Sequence, residues 1–176
     1  MQVDVFLVDR TVPGFTKVLS TISDVFKAKV FYTLIDMPLT RSFEKSRGQF
    51  DAEKLLKDLV NYAPFPADKA IYITREDMFV DDLNFVFGLA VGDACIVSTA
   101  RLDPRFYGEK DLQKAKSLFD QRLNKEVIHE LGHTLGIHHC KDRKCVMVYS
   151  HKIQDVDRKK KDFCKKCNSL KTQVLK

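Results

Sequence analysis

No apolar run in this chain approaches the length needed to cross a bilayer, which excludes a membrane-spanning helix. The first ten residues also lack the basic segment and long apolar stretch of a secretory leader; acidic Asp4 and Asp9 interrupt them instead, and the pattern reads as a strand. A cytoplasmic location is therefore expected. Thiols stay reduced there, so paired cysteines point to metal before disulfide. Internal repeats and low-complexity segments are missing, which excludes repeat architectures. Tryptophan is absent too, yet a hydrophobic fraction of 44% and an aromatic fraction of 10% are ordinary for a folded soluble protein.

What is present fits one domain. A chain of 176 residues can bury a sizeable core but is short for two. Its net charge of +6 is unevenly placed: residues 141–176 carry 12 Lys or Arg against 4 Asp, whereas the preceding 140 residues hold 18 basic against 20 acidic. The basic character belongs to the C-terminal segment and is read first as a solvated end, with an anionic partner as the sharper alternative.

Along the chain, strand patterns cover 3–8, 30–35, 70–74, 85–91 and 94–99, the last two separated by Gly92-Asp93 as in an antiparallel hairpin. Helical spacing covers 13–28, 51–62 and a long segment at 110–135, with a break expected near Asn124. Residues 36–49 read as a loop, and little regular pattern follows Gly136. Strands alternating with helices predict an α/β domain with a mixed sheet.

The chemistry concentrates late in the long helix. His129-Glu130-Leu131-Gly132-His133 is an HExxH sequence whose two imidazoles share a helix face and can converge on one ion. Glu130 points near that ion without ligating it and can take a proton from zinc-bound water. HExxH by itself also occurs as two surface histidines. The continuation decides the matter: Gly136 stands where the helix must stop and His139 completes HxxGxxH, so a third nitrogen can return to the metal. Three protein ligands leave the fourth position open, as catalytic zinc requires. No glutamate follows Glu130, which removes the downstream carboxylate used by thermolysin-type enzymes; Asp155 and Asp157 remain as other third ligands, and His138 competes with His139, though register favours His139. His151 lies in no motif and is expected to be exposed.

A second constellation is Cys140-x4-Cys145 followed by Cys164-x2-Cys167. Four thiolates in paired spacing match a closed, structural zinc site, which would fold a tail too small and polar to fold alone. Two disulfides are the competing reading, disfavoured by the expected compartment. Cys95, in an apolar strand, is read as a buried small hydrophobe.

The run from His129 to Cys140, with Cys145-Val146-Met147 and Cys164-x2-Cys167, resembles the archaemetzincin family of metzincin metallopeptidases. The gap from Met147 to Cys164, 16 residues, is about one shorter than the family pattern. The resemblance implies a zincin domain with a mostly parallel twisted sheet, a long active-site helix and an irregular C-terminal subdomain around a four-cysteine zinc, divided at about 1–136 and 137–176. It implies His129, His133 and His139 as catalytic zinc ligands, Glu130 as base and acid, Cys140, Cys145, Cys164 and Cys167 on a second zinc, and Met147 as an apolar floor beneath the histidines. In that fold the 85–91 strand would be the edge that pairs with extended substrate, Gly88 letting backbone approach backbone. Some metzincins place a Tyr two residues after that Met, near the zinc; Tyr149 has this spacing, a packed aromatic being the alternative.

The chain is accordingly expected to be a metallopeptidase with two Zn2+ per chain, acting on peptides, on short ones or as an aminopeptidase, by Glu-assisted attack of zinc-bound water. A monomer is expected. The reading from another class is a non-catalytic zinc protein whose basic, cysteine-bearing tail binds nucleic acid; Phe163 is the one aromatic among the tail's lysines, so nucleic acid is not the expected partner.

Overall fold

The computed structural model describes residues 1–8 and 12–175, so Asp9 lies outside the described residues. The elements in order are β1 (Gln2–Leu7), α1 (Phe15–Phe26), β2 (Lys29–Leu34), β3 (Phe43–Glu44), β4 (Gln49–Asp51), α2 (Ala52–Tyr62), β5 (Lys69–Thr74), β6 (Met78–Phe79), β7 (Gly88–Val91), β8 (Ala94–Ser98), α3 (Leu112–Thr134), α4 (Ile153–Arg158) and α5 (Lys165–Val174). The main sheet has the order β2-β1-β5-β8-β7. Its first four strands run parallel, and β7 pairs antiparallel with β8, as the hairpin signal at Gly92-Asp93 requires.

The central strands are mostly apolar and almost wholly buried because both faces of the sheet are covered. Alternate residues divide between two cores. Val3, Val5, Leu7, Ile71, Ile73, Cys95 and Val97 face α1 and α3, while Phe6, Val8, Ala70, Tyr72, Ala94 and Ile96 face α2. Helix α2 starts at Asp51, whose Oδ1 accepts from the backbone N–H groups of Glu53 and Lys54 at 3.1 Å each. Helix α3 starts likewise on Asp111, which accepts from the Lys114 N–H at 2.9 Å.

Four local expectations change. Residues 36–49 are not all loop: β3 and β4 form a small second sheet with β6, in the order β3-β4-β6. Strands of two or three residues are too short to show a period, and Arg47, which stacks over Phe79 at 4.1 Å, makes the stretch look polar and loop-like. The strand expected over 85–91 begins only at Gly88, with Val86 making one isolated bridge to Met78. The tail contains α4 and α5 within otherwise irregular chain. Helix α4 is six residues long and buries only Ile153 and Val156, so it carries no readable periodicity.

Helix α3 does not break at Asn124. The side-chain Nδ2 of Asn124 donates to the Asp120 carbonyl at 2.6 Å, one turn back, and the helix continues. The tail is fastened across it. Buried Arg122 forks onto Asp157 at 2.7 and 2.8 Å and also reaches the Leu102 carbonyl, while Lys125 Nζ donates to the carbonyls of Val156 and Asp157 at the end of α4. No described helix is long and apolar enough to cross a membrane.

Leu123 is fully buried where α3 meets the core that joins the sheet to the tail. Replacing it with Ala is expected to cost about 2–5 kcal/mol in urea unfolding. A loss below about 1 kcal/mol would show that this core is not shared.

Candidate metal centre and its cleft

The last turns of α3 carry His129, Glu130 and His133. The helix ends on a Schellman arrangement: the N–H of Gly136 bonds the His133 carbonyl at 2.9 Å, and that of Ile137 bonds the Gly132 carbonyl at 3.1 Å. Gly136 takes φ +75, a left-handed conformation that glycine adopts cheaply, and the chain turns back to bring His139 over the helix.

Hydrogen bonds fix two of the three imidazoles. His129 Nδ1–H donates to the Val146 carbonyl and His133 Nδ1–H to the Ile137 carbonyl, each at 2.8 Å. Each Nε2 therefore presents a lone pair. The His133 Nε2 lies 3.1 Å from that of His129 and 3.2 Å from that of His139. A tetrahedral zinc with ordinary Zn–N bonds needs nitrogens about 3.3 Å apart, and lone pairs this close repel unless a cation sits among them. The residues thus fit a metal. His138 stays outside this group, exposed but lining the same cleft; Asp155 caps α4 and Asp157 holds Arg122, so neither carboxylate joins it.

Burial keeps the imidazoles neutral. It pushes His129 far below its usual range, with nearby Lys159 adding to the effect, brings His133 down to about 4, and lowers His139 as well. Burial acts oppositely on Glu130, raising its carboxyl well above the usual carboxylate range with help from Glu126. Two glycines make the close packing possible. A Cβ on Gly88 would stand 2.6 Å from Glu130 Oε1, and one on Gly132 would stand 2.5 Å from Met147 Sδ. Met147 is fully buried beneath the helix, and the Gly88 contact shows that this glycine makes room for the Glu130 side chain.

One buried charge near the histidines escapes a reading of the sequence. Lys159 looks like one of the solvated basic residues of the tail, yet its side chain is fully buried, paired with Glu126 at 2.8 Å and 3.5 Å from His129 Nδ1. Glu126 is visible as a carboxylate one turn before Glu130; nothing in the run 158–161 distinguishes Lys159 from its neighbours.

The cleft above the histidines has a volume of about 420 Å³. Its upper wall is the 85–90 segment leading into β7, and Tyr149 closes one end, its ring 4.8 Å from that of His139 and 4.4 Å from that of His151. His151 is exposed, as expected, though it packs on this ring.

The four cysteines form the second group. Their Sγ atoms all lie within 4.8 Å of one another, Cys140 and Cys164 being 3.8 Å apart, close to the edge of a tetrahedral zinc–thiolate site. Backbone N–H groups of Asp142 and Cys164 point at the sulfurs of Cys140 and Cys145 at 3.4 and 3.3 Å. Cys164 caps α5, and the Cys167 N–H at that helix start brings its thiol down to about 7. The donor set and its polarisation fit a closed metal site. Cys95 stands apart, wholly buried in β8, and burial pushes its thiol up.

The sequence profile of peptidase family M54 matches residues 3–173. The chain belongs to this family. It is 43% identical over 127 residues to the archaemetzincin of Saccharolobus solfataricus, covering 72% of this chain and 67% of that one. The crystal structure of the archaemetzincin of Methanopyrus kandleri matches with a TM-score of 0.85 at 34% identity, over 99% of this chain and 95% of that one. A zinc-dependent peptidase from Methanocorpusculum labreanum gives 0.83 at 28% identity, covering 96% and 99%. The protein is a zinc metallopeptidase.

The lowered proton affinity of His133 has a defined pH signature. With about 4 in the folded metal-free protein against about 6.5 unfolded, its stability contribution is complete above pH 6.5 and is lost as pH falls toward 4. In metal-free protein its imidazole resonance is expected to titrate near pH 4; a midpoint near 6.5 would contradict the burial assigned to it.

Proposed function

We propose that the protein hydrolyses peptide bonds, of short peptides or at an amino terminus, with His129, His133 and His139 holding a catalytic zinc and Glu130 acting as general base and acid. One observation carries the reading: the Nε2 atoms of His129 and His139 each lie within 3.2 Å of that of His133, with the Glu130 carboxyl buried beside them. Zinc, when bound, supplies the Lewis acidity that activates water near neutral pH and polarises a peptide carbonyl. The Glu130 carboxylate takes the proton of the attacking water and returns it to the leaving amine. A carboxyl whose proton affinity is raised by burial is suited to doing both. Among the described residues strand β7 is an edge of the main sheet, beside Glu130, and an extended substrate can add to that edge through main-chain hydrogen bonds.

On this reading Cys140, Cys145, Cys164 and Cys167 hold a second, structural zinc, giving two per chain. Residues 1–136 form the upper part of one catalytic domain and 137–176 the lower, acting as a monomer. Cys140 directly follows His139, and its N–H bonds the Met147 carbonyl at 2.9 Å, so the cysteine site steadies both the third histidine and the residue beneath the metal.

Glu130→Gln tests the assignment. Metal analysis should still find two zinc ions per chain, and the melting temperature should hold, while peptide-library cleavage falls by about 100-fold or more. Undiminished turnover would remove Glu130 from the mechanism. One zinc per chain in the unaltered protein would remove one of the two sites.

A further inference from the structure

We propose that a basic groove beyond Tyr149 is a subsite for carboxylate groups of the substrate, so that the preferred peptides are acidic within a few residues of the scissile bond. The groove adjoins the metal cleft: Tyr149 lines both, and the groove's own volume is about 800 Å³. Arg143, Lys144, Lys152 and Arg158 line it, against a single carboxylate, Asp155.

That carboxylate is already committed. Asp155 Oδ2 accepts from the backbone N–H groups of His151 at 3.1 Å and Lys152 at 3.2 Å, and Oδ1 pairs with Arg158 at 3.5 Å. Among the described residues, no carboxylate lies within ion-pairing distance of Arg143, Lys144 or Lys152. Like charges gathered in a concave surface focus a positive potential that draws in anions and disfavours cations. The metal cleft beside it offers no such field, since its carboxylates are Glu126 and Glu130 and both are buried. A peptide laid along β7 and across the histidines reaches the groove by passing one side chain, Tyr149, a span of a few residues at about 3.3 Å each.

The proposal rests on the peptidase reading, and binding separates the two. Zinc-loaded Glu130→Gln protein is titrated with fluorescent decapeptides of one central sequence, flanked by Glu, Gln or Lys, each as free acid and as C-terminal amide. Glu-flanked peptides should bind about tenfold more tightly than Gln-flanked ones, with the advantage shrinking between about 50 and 500 mM NaCl. Adding Arg143→Glu and Lys152→Glu should reverse the order in favour of the Lys-flanked peptide, with zinc content and melting temperature unchanged. An advantage that survives amidation assigns the groove to acidic side chains; one that amidation abolishes assigns it to the terminal carboxylate. Equal affinity for all flanks, or a preference untouched by charge reversal, overturns the subsite. So does a single-stranded oligonucleotide that displaces the acidic peptide and binds more tightly, which would make the groove a nucleic-acid surface. Charge-selective binding without cleavage by the wild-type protein would retain the subsite and defeat the peptidase reading; cleavage without charge selection would do the reverse.

Discussion

Residues 126–132 of α3 are buried on every side, a condition that one sheet cannot create, because a helix laid on a sheet keeps one face in water. A second layer must cover the face turned away from the strands, and that layer is the tail. Ile137, Val146, Met147, Ile153, Val156 and Cys167 complete the core that begins with Val3 and Ile71. The turn that carries His129 and Glu130 therefore depends on a segment with little apolar content of its own. This dependence explains why polar clamps recur here: Arg122 on Asp157, Lys125 on the end of α4, and Lys159 on Glu126. Each anchors the tail to α3 by a charged side chain, and the Lys159–Glu126 pair is wholly buried.

The same burial sets the chemistry. Removing water from around His129 and His133 holds them neutral, the form that ligates a metal, and removing it from around Glu130 raises the proton affinity of its carboxyl. Space is as tight as charge. Gly88 and Gly132 are the two places where a side chain would collide with Glu130 or Met147, so the edge strand, the Glu130 carboxyl and the residue beneath the histidines are packed at backbone distance.

Much of this was legible in the sequence. The central parallel strands were legible as strand patterns rich in Val, Ile, Phe and Tyr, and HExxHxxGxxH marked the helix, its stop at Gly136 and the convergence of His129, His133 and His139. What was not legible depended on tertiary contact. Strands β3, β4 and β6 are too short to carry a period, and α4 is held by clamps from α3 more than by its own pattern. Lys159 looks like any lysine in a basic run; only the fold of the tail decides that this one is buried. Asn124, expected to break α3, instead satisfies its side chain on the preceding turn, a local hydrogen bond that composition cannot announce.

On the proposed reading, the cysteine cluster, by fixing the tail, makes His129, His133 and His139 competent to hold zinc. Cys164→Ser tests it most directly, because this residue lies far along the chain from His139 and is only half-buried. Zinc affinity at the histidine site should fall by about tenfold or more, with faster amide exchange across 140–159. Unchanged zinc affinity and unchanged exchange there would contradict the account, and would mean that α3 and its clamps organise the catalytic site without the cysteines.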